Sequence, residues 1–328
     1  MNPDVVRRHL LRCASLAVLG GAAATPAWAQ ADSGRPVRIV VPFSAGSQTD
    51  VVARAIAKPM TASLKQNVIV ENRPGASMTV GAQAVLSEAA DGNNLLFVSS
   101  SYAVLPSTGL RLPYNPEKDL EAVSIVTRAA LVLVASRQSG FKTIADLVNA
   151  SKAKPDSLNF ASSGLGSGTH LAAEFFNHAA GVKAVHIPLK GGRDMLNELL
   201  SGRVQYAFLP ASDILGFVPD KITPLAATGR QRVKLVADVP TMAEAGLPSF
   251  EYYLWQALMV KAGTSSAAAE RLAASIAGAL NDAAVAKEFE TLGIEPVRLS
   301  VAASRKFVAD ETAKTGAFVK QTGLKLSD

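Results

Sequence analysis

The sequence predicts an α/β fold in two parts joined by crossing strands. Three observations predict it. Short β-branched runs alternate with longer Ala- and Leu-rich runs of helical period. The alternation breaks once, at a long strand-like run over 122–136, and then restarts. Each part also carries one Gly/Ser loop between a strand and a helix. The length, 328 residues, suits two domains.

In chain order, "VRIVVPF" (37–43) reads as a strand. "TDVVARAIAKPMTASL" (49–64) reads as a helix with Val52, Ala55, Ile56 and Met60 near one face, bent or ended early by Pro59. Strand 67–72, helix 80–89 and strand 94–100 complete a β-α-β-α-β unit, and a Pro-rich loop spans 110–120. After the long run, helix 143–153, strand 157–162, helix 168–180, strand 184–189, helix 193–202, strand 204–210 and strand 222–228 follow. The segment 238–260 reads as the return crossing, and helices over 267–282, 283–293 and 301–323 end the chain.

The first 29 residues stand apart. Arg7, Arg8 and Arg12 precede an apolar stretch and the small-residue site Ala27-Trp28-Ala29. This is the layout of a secretory signal peptide, and the stretch is shorter than the roughly 20 apolar residues of a bilayer span. Export to a periplasm is expected, with Gln30 as the first mature residue. The only cysteine, Cys13, lies in this segment, so no disulfide and no thiolate chemistry is expected beyond it. The resulting division is 1–29 signal peptide, 30–130 first part of domain 1, 131–250 domain 2 and 251–328 return to domain 1. The net charge of +6 is spread without basic runs, and aromatics are 6% of the chain. A nucleic-acid surface wants clustered cations with stacking aromatics, so none is expected.

The chemistry concentrates in the two loops. "PFSAGSQTD" (42–50) and "ASSGLGSGTH" (161–170) both lie between a strand and a helix N-terminus. Glycines let backbone approach a ligand, hydroxyls add donors, and helix N-termini carry free N–H groups and partial positive charge. Together these make anion sites without a cationic side chain. Each loop alone also reads as an ordinary helix start, since Ser, Thr and Asp are good N-caps. Their equivalent positions favour two sites facing one cleft beyond the strand ends. Asp50 is unfavourable beside an anion and is expected to accept loop N–H bonds, or to hold a water or a ligand amine. Phe43 and Tyr102 are candidate apolar walls.

Enzyme motifs are incomplete. A dinucleotide fingerprint fails at Thr169, a nucleophile elbow fails at Leu165, and no phosphate-loop lysine motif occurs. His170 and His178 fall too far apart to chelate one metal, and His186 in its apolar strand reads as a satisfied core residue. No metal or cofactor is expected. Ser163 or Ser167 with His170 is a weak hydrolase alternative, since no orienting acid is identifiable.

"PVRIVVPFSAGSQTDVVARAIA", "VIVENRPGA", "ADGNNLLF", "LPYNPEKDL", "NFASSGLGSGTHLAAEFF", "DVPTMAEAGLPSFEYYLW" and "LGIEP" occur in this order. The chain thereby resembles the Bug family (Bordetella uptake gene), the extracytoplasmic substrate-binding receptors of tripartite tricarboxylate transporters. The resemblance implies two Rossmann-like α/β domains in a type II periplasmic-binding-protein architecture, binding rather than catalysis, and a permease partner for a monomeric receptor. It implies that both loops grip a ligand carboxylate through N–H groups, hydroxyls and waters. The residues carried over are Phe43, Gly46 and Asp50 in the first loop and Ser163, Gly164, Gly166, Thr169 and His170 in the second. Ser44, Ser47, Ser100, Ser162 and Ser167 complete the set of candidate ligand contacts. Ser47, Ser77 and Met78 depart from the family's glycines, and an Asn-Pro pair after strand 94–100 is missing. Met78 and Tyr102 are expected to narrow the cleft or make it more apolar. The same fold serving a membrane sensor kinase is the alternative role.

Overall fold

The computed structural model describes residues 34–326, so the signal-peptide expectation lies outside the described residues. The chain builds β1 (Val37–Val41), α1 (Gln48–Leu64), β2 (Val68–Asn72), α2 (Thr79–Leu86) and β3 (Asn94–Ser99). The long β4 (Leu120–Ser136) is followed by α3 (Ile144–Ala153), β5 (Leu158–Ser162), α4 (Gly168–Ala180) and β6 (Ala184–Pro188). Next come α5 (Gly192–Leu200), β7 (Tyr206–Pro210), the one-turn α6 (Ala211–Ile214) and β8 (Ile222–Ala227). The chain closes with β9 (Tyr253–Lys261), α7 (Ser266–Ala279), α8 (Ala283–Leu292), β10 (Glu295–Pro296) and α9 (Val301–Thr322).

The main sheet order is β2-β1-β3-β9-β4-β7-β5-β6, with β8 and β10 also paired to β4. Strand β4 unites two half-sheets. Its first stretch, Leu120 to Ala130, pairs antiparallel with β9, and its last, Leu131 to Ser136, pairs with β7 and β8. Within each half the early strands run parallel: β1 beside β2 and β3, and β5 beside β6 and β7. Parallel strands need crossover helices, and α1 and α2 in the first half and α4 and α5 in the second supply them. The apolar face of α1, with Ile56 and Met60, packs on Ile39, Leu95 and Phe97 in the first half. In the second half, Phe160, Phe176, Tyr206 and Phe208 form the centre of a separate core.

Helix α9 straps the two halves. Val308 joins the core under β9, and Ser304 Oγ accepts the Ile125 N–H at 3.2 Å. Farther along, Phe318 stacks on Phe175 of α4 with ring centroids 4.0 Å apart. Two local expectations differ from the structure. Pro59 does not end α1 early, one of the two outcomes expected of it; it sits on the half-exposed side of the helix, where water can replace the missing hydrogen bond. Residues Ser100–Ser107 form a 3-10 helix with Pro106 inside it, where no regular element was expected.

Candidate functional site

The first loop is held by Asp50. Gly46 takes a left-handed φ of 79°, which glycine adopts without strain, and donates its N–H to Asp50 Oδ2 at 2.9 Å. Asn72 Nδ2, at the end of β2, donates to Asp50 Oδ1 at 2.9 Å and to the Phe43 carbonyl at 3.2 Å. Arg54, one helical turn on, donates from Nε at 3.1 Å. Burial raises the Asp50 carboxyl, but hydrogen bonds from Arg54, Gly46 and Asn72 outweigh it and hold the group below its ordinary range. Asp50 therefore stays ionised and accepts loop N–H bonds, the first of the roles expected for it. Ser47 caps α1, its Oγ accepting the Asp50 N–H at 3.3 Å.

The second loop repeats this build. Gly166, at φ 68°, precedes Ser167, which caps α4 by accepting the His170 N–H at 3.2 Å. Here a histidine takes the place of the aspartate: Gly166 donates its N–H to His170 Nδ1 at 3.2 Å. That leaves the ring proton on Nε2, 3.6 Å from Glu174. Ser163 donates its N–H to Thr169 Oγ1 at 2.9 Å, and the hydroxyls of Ser163 and Ser167 lie 3.0 and 3.1 Å from the same oxygen. Ser162 points the other way: its Oγ accepts the Gly164 N–H at 3.1 Å and meets His186 Nε2 at 2.6 Å. His170 and His186 stack with centroids 4.0 Å apart over Phe160.

His186 is thus satisfied, as expected, though only half-buried. Burial, and then the neighbouring His170, push its imidazole down to about 4. The unfolded chain takes up this proton near the ordinary value of about 6.5, the folded chain only near 4. The unfolded state therefore binds more protons between these values. The contribution is complete above pH ~6.5 and is lost progressively as pH falls to ~4. Melting temperature followed between those pH values should fall less steeply in His186→Gln than in the native protein. Parallel slopes would refute the assignment.

Both loops open onto one cleft of about 560 Å³. Of the expected residues, Phe43, Ser47, Ser100, Ser163, Ser167 and Thr169 line it. Ser44, Gly46, Asp50, Ser162, Gly164, Gly166 and His170 do not line it, and all of these except Ser44 make the loop-shaping bonds described above. Tyr102 is not a cleft wall: it is buried, and its hydroxyl donates to the Pro116 carbonyl. Met78 likewise packs in the core beside β3 and β9, so neither residue narrows the cleft. The helix α4 meets the cleft tightly at Gly168, where a Cβ would fall 2.2 Å from Leu254 Cδ2 and 2.9 Å from Ser100 Oγ.

Other lining residues were missed. Thr127 of β4 donates to Gln256 Oε1 of β9 at 3.1 Å, and Gln256 Nε2 donates to Thr49 Oγ1 at 3.3 Å. Both interrupt apolar strand runs, and that interruption was the available signal. Lys190, Gly191 and Gly192 form a third strand-to-helix turn on the cleft, marked by its Gly-Gly pair. Among the described residues Lys190 is the one charged residue in the lining, so the cleft is not free of cations. The hydrolase arrangement is absent. Ser167 Oγ caps a helix, and His170 spends Nδ1 on the loop and turns Nε2 toward Glu174. Among the described residues no group of His, Cys, Asp and Glu could hold a metal, and no helix is long and apolar enough to cross a membrane.

The model of the tripartite tricarboxylate transporter family receptor matches residues 52–324. Protein BugT of Bordetella pertussis is 34% identical over 321 residues, 97% of this chain and 98% of BugT. The solved periplasmic binding protein BugD superposes with a TM-score of 0.75 at 28% identity, covering 90% of this chain and 99% of BugD. MatC from Rhodopseudomonas palustris, solved with bound malate, gives 0.73 at 28% identity over 87% of this chain and 99% of MatC. The fold, two half-sheets joined by a crossing strand, is that of periplasmic binding proteins, and the matching family is one of receptors and not of enzymes. The chain belongs to the tripartite tricarboxylate transporter receptor family, among the Bug proteins.

Proposed function

We propose that the protein is a periplasmic receptor that captures a small organic carboxylate in the cleft and hands it to a tripartite tricarboxylate-type permease. One observation carries this reading. Two serine-capped helix N-termini, α1 and α4, open onto the same cleft from opposite half-sheets, and no acid among the described residues lines it. Malate in MatC and adipate in a second Rhodopseudomonas palustris relative support the ligand class. The working unit is a monomer of residues 30–328, with 30–130 and 251–328 as one domain and 131–250 as the other. Closure bends β4 and β9, and the ligand favours the closed form through contacts that the open form lacks.

The test is a thermal-shift panel of mono-, di- and tricarboxylates, aromatic acids and acidic amino acids. An acid at 100 times its Kd should stabilise the protein by about 2.7 kcal/mol. Removing one hydroxyl donor with Ser163→Ala should raise the Kd of the acid that binds by about 10- to 150-fold. A flat panel, on protein shown by native mass spectrometry to carry no ligand, overturns the reading.

A further inference from the structure

The three strand-to-helix turns on the cleft are not alike. Ser47 and Ser167 cap their own helices, so α1 and α4 each have an early N–H satisfied internally. Helix α5 begins behind Gly191, and no side chain caps it. Its first N–H groups thus lack the acceptor that the other two helices have. A Cβ at Gly192 would lie 2.8 Å from Asp213 Oδ2, so that carboxylate would have to shift to admit one. That acid does not line the cleft. Lys190, just before the turn, is exposed and has no hydrogen bond or ion pair among the described residues. No acid among the described residues of the lining balances it.

The charges make the point. A helix N-terminus acts as about +0.5, so α1 and α4 together match one carboxylate. Lys190 adds a full charge, while Asp194 in the first turn of α5 offsets that helix's own partial charge. A ligand with a single carboxylate leaves the charge of Lys190 unanswered by any described residue of the lining.

We infer that Lys190 is the specificity-determining residue of the cleft: with the uncapped N-terminus of α5 it holds a second anionic group on the ligand. Dicarboxylates are then preferred over monocarboxylates of equal chain length. This rests on the carboxylate-receptor reading and adds to it the residue that counts the ligand's charges.

Calorimetric titration of the purified, ligand-free protein tests it with two matched pairs, succinate with butanoate and adipate with hexanoate. The native protein should bind at least one diacid about tenfold or more tighter than its monoacid. Lys190→Met should weaken that diacid by about 10- to 150-fold and leave the monoacid within about twofold. Lys190→Arg should keep most of the preference, and raised salt should erode it. The melting temperature without ligand should not move, because Lys190 has no partner to lose. Equal diacid affinity in Lys190→Met and the native protein overturns the inference, as do monoacids that bind the native protein as tightly as diacids; the receptor reading survives both. If no acid of any class binds the ligand-free native protein, the receptor reading fails and the inference falls with it.

Discussion

Phe160→Ala should be the most damaging single substitution in the second half-sheet, costing about 3–5 kcal/mol. Phe160 is fully buried on β5, in register with His186 of β6 and Tyr206 of β7. Its ring stacks on both, with centroids 4.9 and 5.7 Å away. Truncation removes apolar burial and leaves a cavity under the histidine pair that supports the second loop. At about 2–4 °C per kcal/mol, the melting temperature should drop by about 6 °C or more. Phe160→Leu, which keeps most of the volume, should cost far less. A drop below about 2 °C for the alanine variant would show that the stack bears little of the fold's stability.

Asp50→Ala should cost about 3 kcal/mol, because a buried acceptor is removed from several donors at once. Gly46 N–H and Asn72 Nδ2 lose their partner inside the loop. Arg54 loses its partner too, but its side chain is 54% exposed and returns to water, so Arg54→Ala should cost under about 1 kcal/mol. Asp50→Asn keeps the shape and one acceptor and should fall between them. Because the folded carboxyl titrates below its ordinary value of 3.8, its contribution is complete above that value. It is lost as pH falls through the lower folded value, so the alanine variant should show less acid sensitivity. Urea titrations of the three variants at neutral and acid pH check this ranking. Arg54→Ala matching Asp50→Ala would place the energy in the ion pair instead of in the loop bonds.

Much of this was legible in the sequence, and the reason is local. The helical period of Val52, Ile56 and Met60 survives in α1, and the long run over 122–136 is the strand that joins the half-sheets. The Gly-Ser steps at 46–47 and 166–167 announce two alike helix starts, and both exist. Other features gave no local sign. Nothing near Asp50 names Asn72, which arrives from the end of the neighbouring strand. Nothing near His170 names His186, which β6 delivers to it. Tyr102 reads from the sequence as a candidate apolar wall, yet the 3-10 turn carries it into the core.

By itself, then, the sequence determined the order of strands and helices, the position of the loops and the hydroxyl-rich chemistry they carry. Hydrophobic period, turn residues and helix caps act over a few residues, so they can be read along the chain. Only the tertiary structure decided which hydroxyls line the cleft, which residues brace the loops from behind, and that Lys190 joins them. Those outcomes depend on the pairing of strands far apart in sequence, where register and side-chain direction alternate with every residue.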